Sequence, residues 1–112
     1  MEVPKEISEK IEELRYLEAN SQNLLVQKQN SQIELNEINN AISEVKKAAG
    51  EVYKVSSNIM IKANKTEVLK ELEEKKKILD LRISSIEKQE KMFDEKSDKL
   101  KKEVNAEISK KK

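Results

Sequence analysis

The sequence predicts a mainly α-helical protein, in which two long helices fold back on each other as an antiparallel coiled coil around a central two-stranded β-hairpin. Three observations support this fold class. The 112 residues are 40% charged and 3% aromatic, with one Gly and one Pro. A sheet protein needs more turn-forming residues and more aromatic core residues than this. Apolar residues follow a heptad spacing on both sides of the middle. The middle itself is rich in β-branched residues, and the whole chain, 1–112, is expected to form one domain.

The two helices are delimited by their lack of helix breakers. Residues 5–49 predict the first helix and residues 66–110 the second, because neither stretch contains Gly or Pro. Gly50 is expected to end the first helix as its C′ residue. Asn64 is expected to cap the second helix, with Glu67 three residues later as in a capping box.

A seam of alternating three- and four-residue spacings runs along each helix. Eight of its twelve positions are apolar in either helix, where the chain average of 36% would give about four. Pairing Val45 with Leu69 matches all layers without a break and places Leu14 beside Leu100. The seam positions are Ile7, Lys10, Leu14, Leu17, Ser21, Leu24, Lys28, Ser31, Leu35, Ile38, Ile42 and Val45, then Leu69, Leu72, Lys76, Leu79, Ile83, Ile86, Glu90, Phe93, Ser97, Leu100, Val104 and Glu107.

The segment 50–65 predicts a β-hairpin. Residues 51–56 and 59–64 form two short strands, and Ser57-Asn58 is a two-residue turn. An irregular loop is the alternative, although an unstructured apolar loop of this length is unusual. Because a lone hairpin is marginally stable and exposes both edges, we expect it to join strands of other chains in an oligomeric β body. The residues expected to make subunit contacts are Val52, Tyr53, Val55, Ile59, Met60 and Ile61.

With a hairpin between two long helices, the chain resembles the β-type subunits of the prefoldin family, most of all the archaeal form. The resemblance covers essentially the whole chain, and one hairpin rather than two points to the β type. Ser57 departs from it, since the family usually has Gly at the turn. The residues that carry the resemblance are Val26-Gln27-Lys28-Gln29, Glu51-Val52-Tyr53-Lys54, Asn58-Ile59-Met60-Ile61-Lys62, Glu71-Leu72-Glu73-Glu74-Lys75, Leu79-Asp80-Leu81-Arg82 and Ile86-Glu87-Lys88-Gln89-Glu90.

The resemblance implies an ATP-independent chaperone subunit with no cofactor. It implies a hexamer of two α and four β subunits, whose hairpins form a double β-barrel body. The coiled coils would hold unfolded client proteins at their open ends and pass them to a group II chaperonin. The absence of cysteine suits a cytoplasmic protein.

The residues themselves suggest where clients would bind. Both chain termini fall at the same end of the predicted coil, and fraying there would expose seam residues. Closing the coil is the alternative role for the same side chains. The candidate client-binding residues are Val3, Ile7, Ile11, Leu14, Leu100, Val104 and Ile108.

Other function classes are disfavoured by composition. The chain has neither His nor Cys, so a zinc site is improbable and serine–histidine or cysteine–histidine catalysis is excluded within one chain; we predict no catalytic, metal or cofactor residues. A net charge of +1 disfavours a nucleic-acid arm built on the Lys-rich C-terminal end. No apolar run reaches the roughly 18 residues of a membrane span. A coiled-coil scaffold or spacer is the alternative function, but a spacer needs no strands.

Overall fold

The computed structural model describes residues 4–110, with two long helices on either side of a two-stranded hairpin. In chain order the elements are α1 (Lys5–Lys47), β1 (Val52–Ser56), β2 (Ile59–Ala63) and α2 (Lys65–Lys110). The predicted fold class is therefore confirmed for the single chain. The described residues divide into two compact units, here called the terminal unit (4–28 with 85–110) and the hairpin unit (29–84).

The C-terminal end of α1 differs from the prediction. The helix ends at Lys47 rather than at residue 49, and Gly50 does not adopt a positive φ, so its assignment as the C′ residue was wrong. The terminal carbonyl groups are satisfied from α2 instead. The Lys65 ammonium donates hydrogen bonds to the carbonyl oxygens of Lys46 and Ala48, at 3.2 and 3.0 Å. A cation at this position also interacts favourably with the negative, C-terminal end of the helix dipole.

The start of α2 agrees with the predicted cap. The backbone N–H of Thr66 donates a hydrogen bond of 2.8 Å to Asn64 Oδ1. This side-chain oxygen satisfies one of the N–H groups that a first helical turn leaves unpaired. Asn64 is also the single residue that connects Ala63, the last residue of β2, to Lys65, the first residue of α2.

The core is the seam between the helices within each unit. Every predicted seam position is buried or half-buried. In the terminal unit, Lys10 Nζ lies 2.9 Å from Glu107 Oε1, and Lys28 Nζ lies 2.9 Å from Glu90 Oε1. Numbers that rise along α1 pair with numbers that fall along α2, so the helices of this unit run antiparallel. The buried apolar residues are Ile7, Leu17, Leu24, Ile42, Leu79, Ile86 and Val104.

Candidate functional site

The hairpin turn has the backbone conformation that twisted two-residue turns require. Ser57 and Asn58 have φ angles of 49° and 67°, and Ser56 pairs directly with Ile59. Positive φ at both central residues is the signature of a type I′ turn. The predicted two-residue turn is confirmed, with a serine in the left-handed region, where Gly carries no steric cost.

The antiparallel register places apolar side chains on both faces of the hairpin. Val55 pairs with Met60 on one face. Ile61 pairs with Lys54, and Ile59 with Ser56, on the other, because successive residues of a strand point to opposite faces. Neither face of the hairpin is therefore a polar, solvent-facing surface.

Most of these hairpin side chains are exposed in the single chain. Exposure reaches 73% for Met60, 67% for Val55 and 62% for Ile59, while Val52 is half-buried. Adjacent exposed apolar residues of this size mark interaction surfaces in soluble proteins. The predicted contact residues that are more than half exposed are Tyr53, Val55, Ile59, Met60 and Ile61.

Two ion pairs lie beside this apolar surface. Glu51 Oε1 accepts a hydrogen bond from Lys62 Nζ at 2.8 Å, and Glu51 Oε2 accepts a hydrogen bond from the Tyr53 hydroxyl. The Lys62 bond first, and the Tyr53 bond second, hold the pKa of Glu51 below its usual value. Lys54 Nζ lies 2.9 Å from Glu71 Oε2, which connects β1 to α2 and lowers the pKa of Glu71. The charged groups thus orient β1 without covering its apolar side chains.

The predicted client-binding residues lie mainly inside the seam of the terminal unit. Ile7 and Val104 are 2% and 8% exposed, so the seam encloses them. Ile108 is 45% exposed, and Val3 lies outside the described residues. The remaining predicted residues are half-buried: Ile11, Leu14 and Leu100.

Two residues that position the hairpin were missed by sequence reasoning. Glu71 holds β1 to α2, and Lys65 closes the end of α1. Their partners are 17 to 19 residues away in sequence, so no local pattern reveals either contact.

Neither a metal centre nor a membrane-crossing helix emerges within residues 4–110. No group of three or more ligand-type side chains in this range is arranged to hold a metal ion. Within the same range, neither helix combines the length and the apolar character that crossing a bilayer requires.

The geometry defines a class of protein: two helices paired antiparallel within a unit, with an exposed apolar hairpin between them. Comparison with known proteins gives the family. The sequence profile described as "Prefoldin subunit" matches residues 8–111. This chain therefore belongs to the prefoldin family, which implies a chaperone-type function.

Similar proteins are archaeal and carry the β designation. The prefoldin subunit beta of Pyrobaculum islandicum is 32% identical over 110 residues, covering 96% of this chain and 88% of the relative. That of Saccharolobus islandicus is also 32% identical, covering 96% and 87%. The crystal structure of the prefoldin beta subunit from Thermococcus strain KS-1 superposes with a TM-score of 0.88 at 28% identity, covering 94% of each chain.

Proposed function

We propose that this chain is the β-type subunit of a cytoplasmic, ATP-independent holdase, in which four copies assemble with two α-type subunits. The complex captures unfolded proteins and transfers them to a group II chaperonin. The observation that carries the proposal is the exposed apolar hairpin in a chain of the prefoldin family. We therefore expect the subunit to hold clients only after strands of other subunits have paired with this surface.

Assembly follows from the open hairpin. A two-stranded sheet has two edges with unpaired backbone groups, and such edges pair with strands of other chains. Closing several hairpins into a barrel removes the edges and turns one apolar face, that of Ile59 and Ile61, towards the barrel interior. Burial of that apolar surface supplies the free energy of association.

Client holding is assigned to the terminal unit. Ile108 is already exposed and offers apolar contact, whereas Ile7 and Val104 become available when the two helix ends separate. Separation is favoured near a helix end, because the last turns make the fewest tertiary contacts. Loose apolar contact without a closed pocket suits clients of varied sequence and needs no nucleotide.

The assembly step is tested with the double variant Ile59→Asp, Ile61→Asp. A charge placed in a dry interface is costly, so we expect no full-size complex with the α-type partner by light scattering. Ile33→Asp, Ile78→Asp is the matched control, since these helix residues are each 57% exposed, against 62% and 52% in the hairpin. A full-size complex from the hairpin variant would contradict the assignment.

The holding step is tested with Ile108→Ser in assembled complexes. Suppression of aggregation of a chemically unfolded protein, without ATP, should fall relative to the unmodified complex. Leu81→Ser is the control, because it removes an exposed apolar side chain from the hairpin unit instead. Equal protection by both variants, at equal helix content, would place client contact elsewhere on the coil.

A further inference from the structure

One stretch of α1 is almost free of charge. Residues 19–33 contain a single charged side chain, Lys28, whereas the chain's charged content of 40% would give about six in a stretch of this length. Lys28 itself lies in the seam, where its ammonium nitrogen is 2.9 Å from Glu90 Oε1. The exposed side chains of this stretch are therefore amides and aliphatic groups.

Six exposed residues along this stretch and the next turn form a line that we call the outer stripe. Their spacings alternate between three and four residues, as in the coiled-coil seam. Each lies two positions from a seam residue, which is about 200° around a helix of 3.6 residues per turn. The stripe therefore follows the side of α1 that faces away from α2. The outer stripe consists of Ala19, Gln22, Val26, Gln29, Ile33 and Asn36.

The outward side of α2 has a different chemistry. The equivalent exposed positions of α2 from 74 to 91, counted from the seam of that helix, are mostly charged. Removing a charged side chain from water is costly, and the centres of protein interfaces are depleted of charge. The outer stripe of α1 is thus the helix surface better suited to being covered. The α2 positions are Glu74, Lys77, Leu81, Ser84, Lys88 and Lys91, of which only Leu81 and Ser84 are uncharged.

The stripe carries two apolar contact points one heptad apart. Val26 is 52% exposed and Ile33 is 57% exposed. Their spacing suits another helix, because side chains of packed helices meet at these intervals. Two such residues are too few for two copies of the stripe to hold each other, since stable interfaces bury roughly 1,200–2,000 Å² around an apolar centre. The partner helix must therefore supply most of the apolar surface.

We propose that the outer stripe binds the apolar face of an amphipathic helix that a client protein has formed before its tertiary structure. Such a helix exposes its apolar face until it packs against the rest of its own protein. The amides of Gln22 and Gln29 both donate and accept hydrogen bonds, so they suit polar groups of varied sequence at the margin of that face. This inference rests on the proposed function and adds a second contact surface, selective for helical segments, to the helix ends.

Binding of a fluorescent peptide to the complex with the α-type partner tests the proposed selectivity. The peptide has roughly 18 residues of Ala, Gln and Leu, with leucines at heptad spacing, so that about five helical turns share one apolar face. An isomer of the same composition has its leucines at every second residue, as in a strand. We expect fluorescence anisotropy to show at least several-fold tighter binding of the heptad peptide. Equal binding of the two peptides would overturn the proposal.

Charged substitutions locate the contact. Val26→Asp, Ile33→Asp should weaken binding of the heptad peptide at least several-fold, at unchanged helix content. Ile78→Asp, Met92→Asp on α2 is the matched control, since these residues are 57% and 55% exposed, against 52% and 57% in the stripe. Unchanged affinity in the stripe variant, or an equal loss in both variants, would also overturn the proposal.

Photocrosslinking gives direct evidence of the occupant, and the chain suits it because it has no native cysteine. A benzophenone attached to Gln29→Cys should crosslink to the heptad peptide at several times the yield from Ser84→Cys, an exposed outward position of α2. Equal yields, or crosslinks between copies of the chain in place of the peptide, would contradict a client helix on the stripe. The proposed function fails separately, if the complex with the α-type partner neither forms nor protects a client.

Discussion

The coiled-coil seam has different chemistry in the two units. In the hairpin unit it is apolar except at Ser31 and Lys76. In the terminal unit polar layers interrupt it repeatedly, although every one is at least half-buried. These polar seam positions are Lys10, Ser21, Lys28, Glu90, Ser97 and Glu107.

The difference predicts that one pair of helices combines a more stable region with one that opens more readily. Apolar seam layers supply most coiled-coil stability, and polar residues there fix register at a cost in stability. In the terminal unit, the Lys28–Glu90 and Lys10–Glu107 pairs satisfy the charges without adding much apolar burial. The Glu90 and Glu107 contacts raise the pKa of Lys28 and of Lys10. We therefore expect the hairpin unit to be the stable support and the terminal unit the dynamic part.

The largest expected effect concerns the apolar seam of the hairpin unit. Leu79→Ala should lower the free energy of unfolding by about 2–4 kcal/mol, because Leu79 is 4% exposed and its removal leaves a cavity. Leu81→Ala makes the same chemical change at a side chain that is 71% exposed. The melting temperature of Leu81→Ala should barely shift. Equal shifts for the two variants would contradict the placement of Leu79 in a packed seam.

A smaller effect is expected in local opening. In hydrogen exchange measured by mass spectrometry, amides of residues 8–28 should exchange several-fold faster than those of residues 29–45. The reason is that a smaller share of the seam positions is apolar in the terminal unit, so less apolar burial per turn holds its helices together. Uniform exchange along α1 would remove the distinction between a stable and an opening unit.

The double variant Lys28→Leu, Glu90→Leu sharpens this measurement. Replacing a partly buried ion pair with packed apolar residues is often stabilising. Removing only one partner instead leaves the other charge partly buried without a counter-charge. Exchange in the terminal unit should slow in the double variant and quicken in Glu90→Leu alone. If the double variant also quickens exchange, the ion pair stabilises more than the apolar layer that replaces it.

The sequence predicted the seam well, because periodicity directly records which side chains are buried. All seam positions, even the polar Lys28 and Glu90, proved at least half-buried. Local signals also located the Asn64 cap and the Ser57-Asn58 turn. These features depend on residues within a few positions of each other.

Features set by long-range contact were not predictable. The end of α1 depends on Lys65, and a local rule pointed instead to Gly50. A crevice beside β1 is lined in part by Ala41 and Val68, which lie off the seam.

The smallest expected effect concerns pH and the ion pair that anchors the hairpin to α2. Lys54 first, with Lys75 adding to it, lowers the pKa of Glu71, so the ionised form is favoured by folding. A depressed folded-state pKa gives stability above the unfolded pKa and loses it as pH falls through the folded one. Glu71→Gln should therefore melt slightly below the unmodified chain at neutral pH and together with it in acid.

Thermal melts across this pH range measure the difference, which should be small because Lys54 and Glu71 are each about half exposed. Glu74→Gln, at an exposed position of the same helix, is the matched control for losing one negative charge. High salt should also shrink the Glu71 effect, since it screens exposed ion pairs. A gap between Glu71→Gln and the unmodified chain that persists in acid would show that packing, rather than charge, connects β1 to α2. In that case the hairpin, like the seam beneath it, would be held mainly by apolar contact.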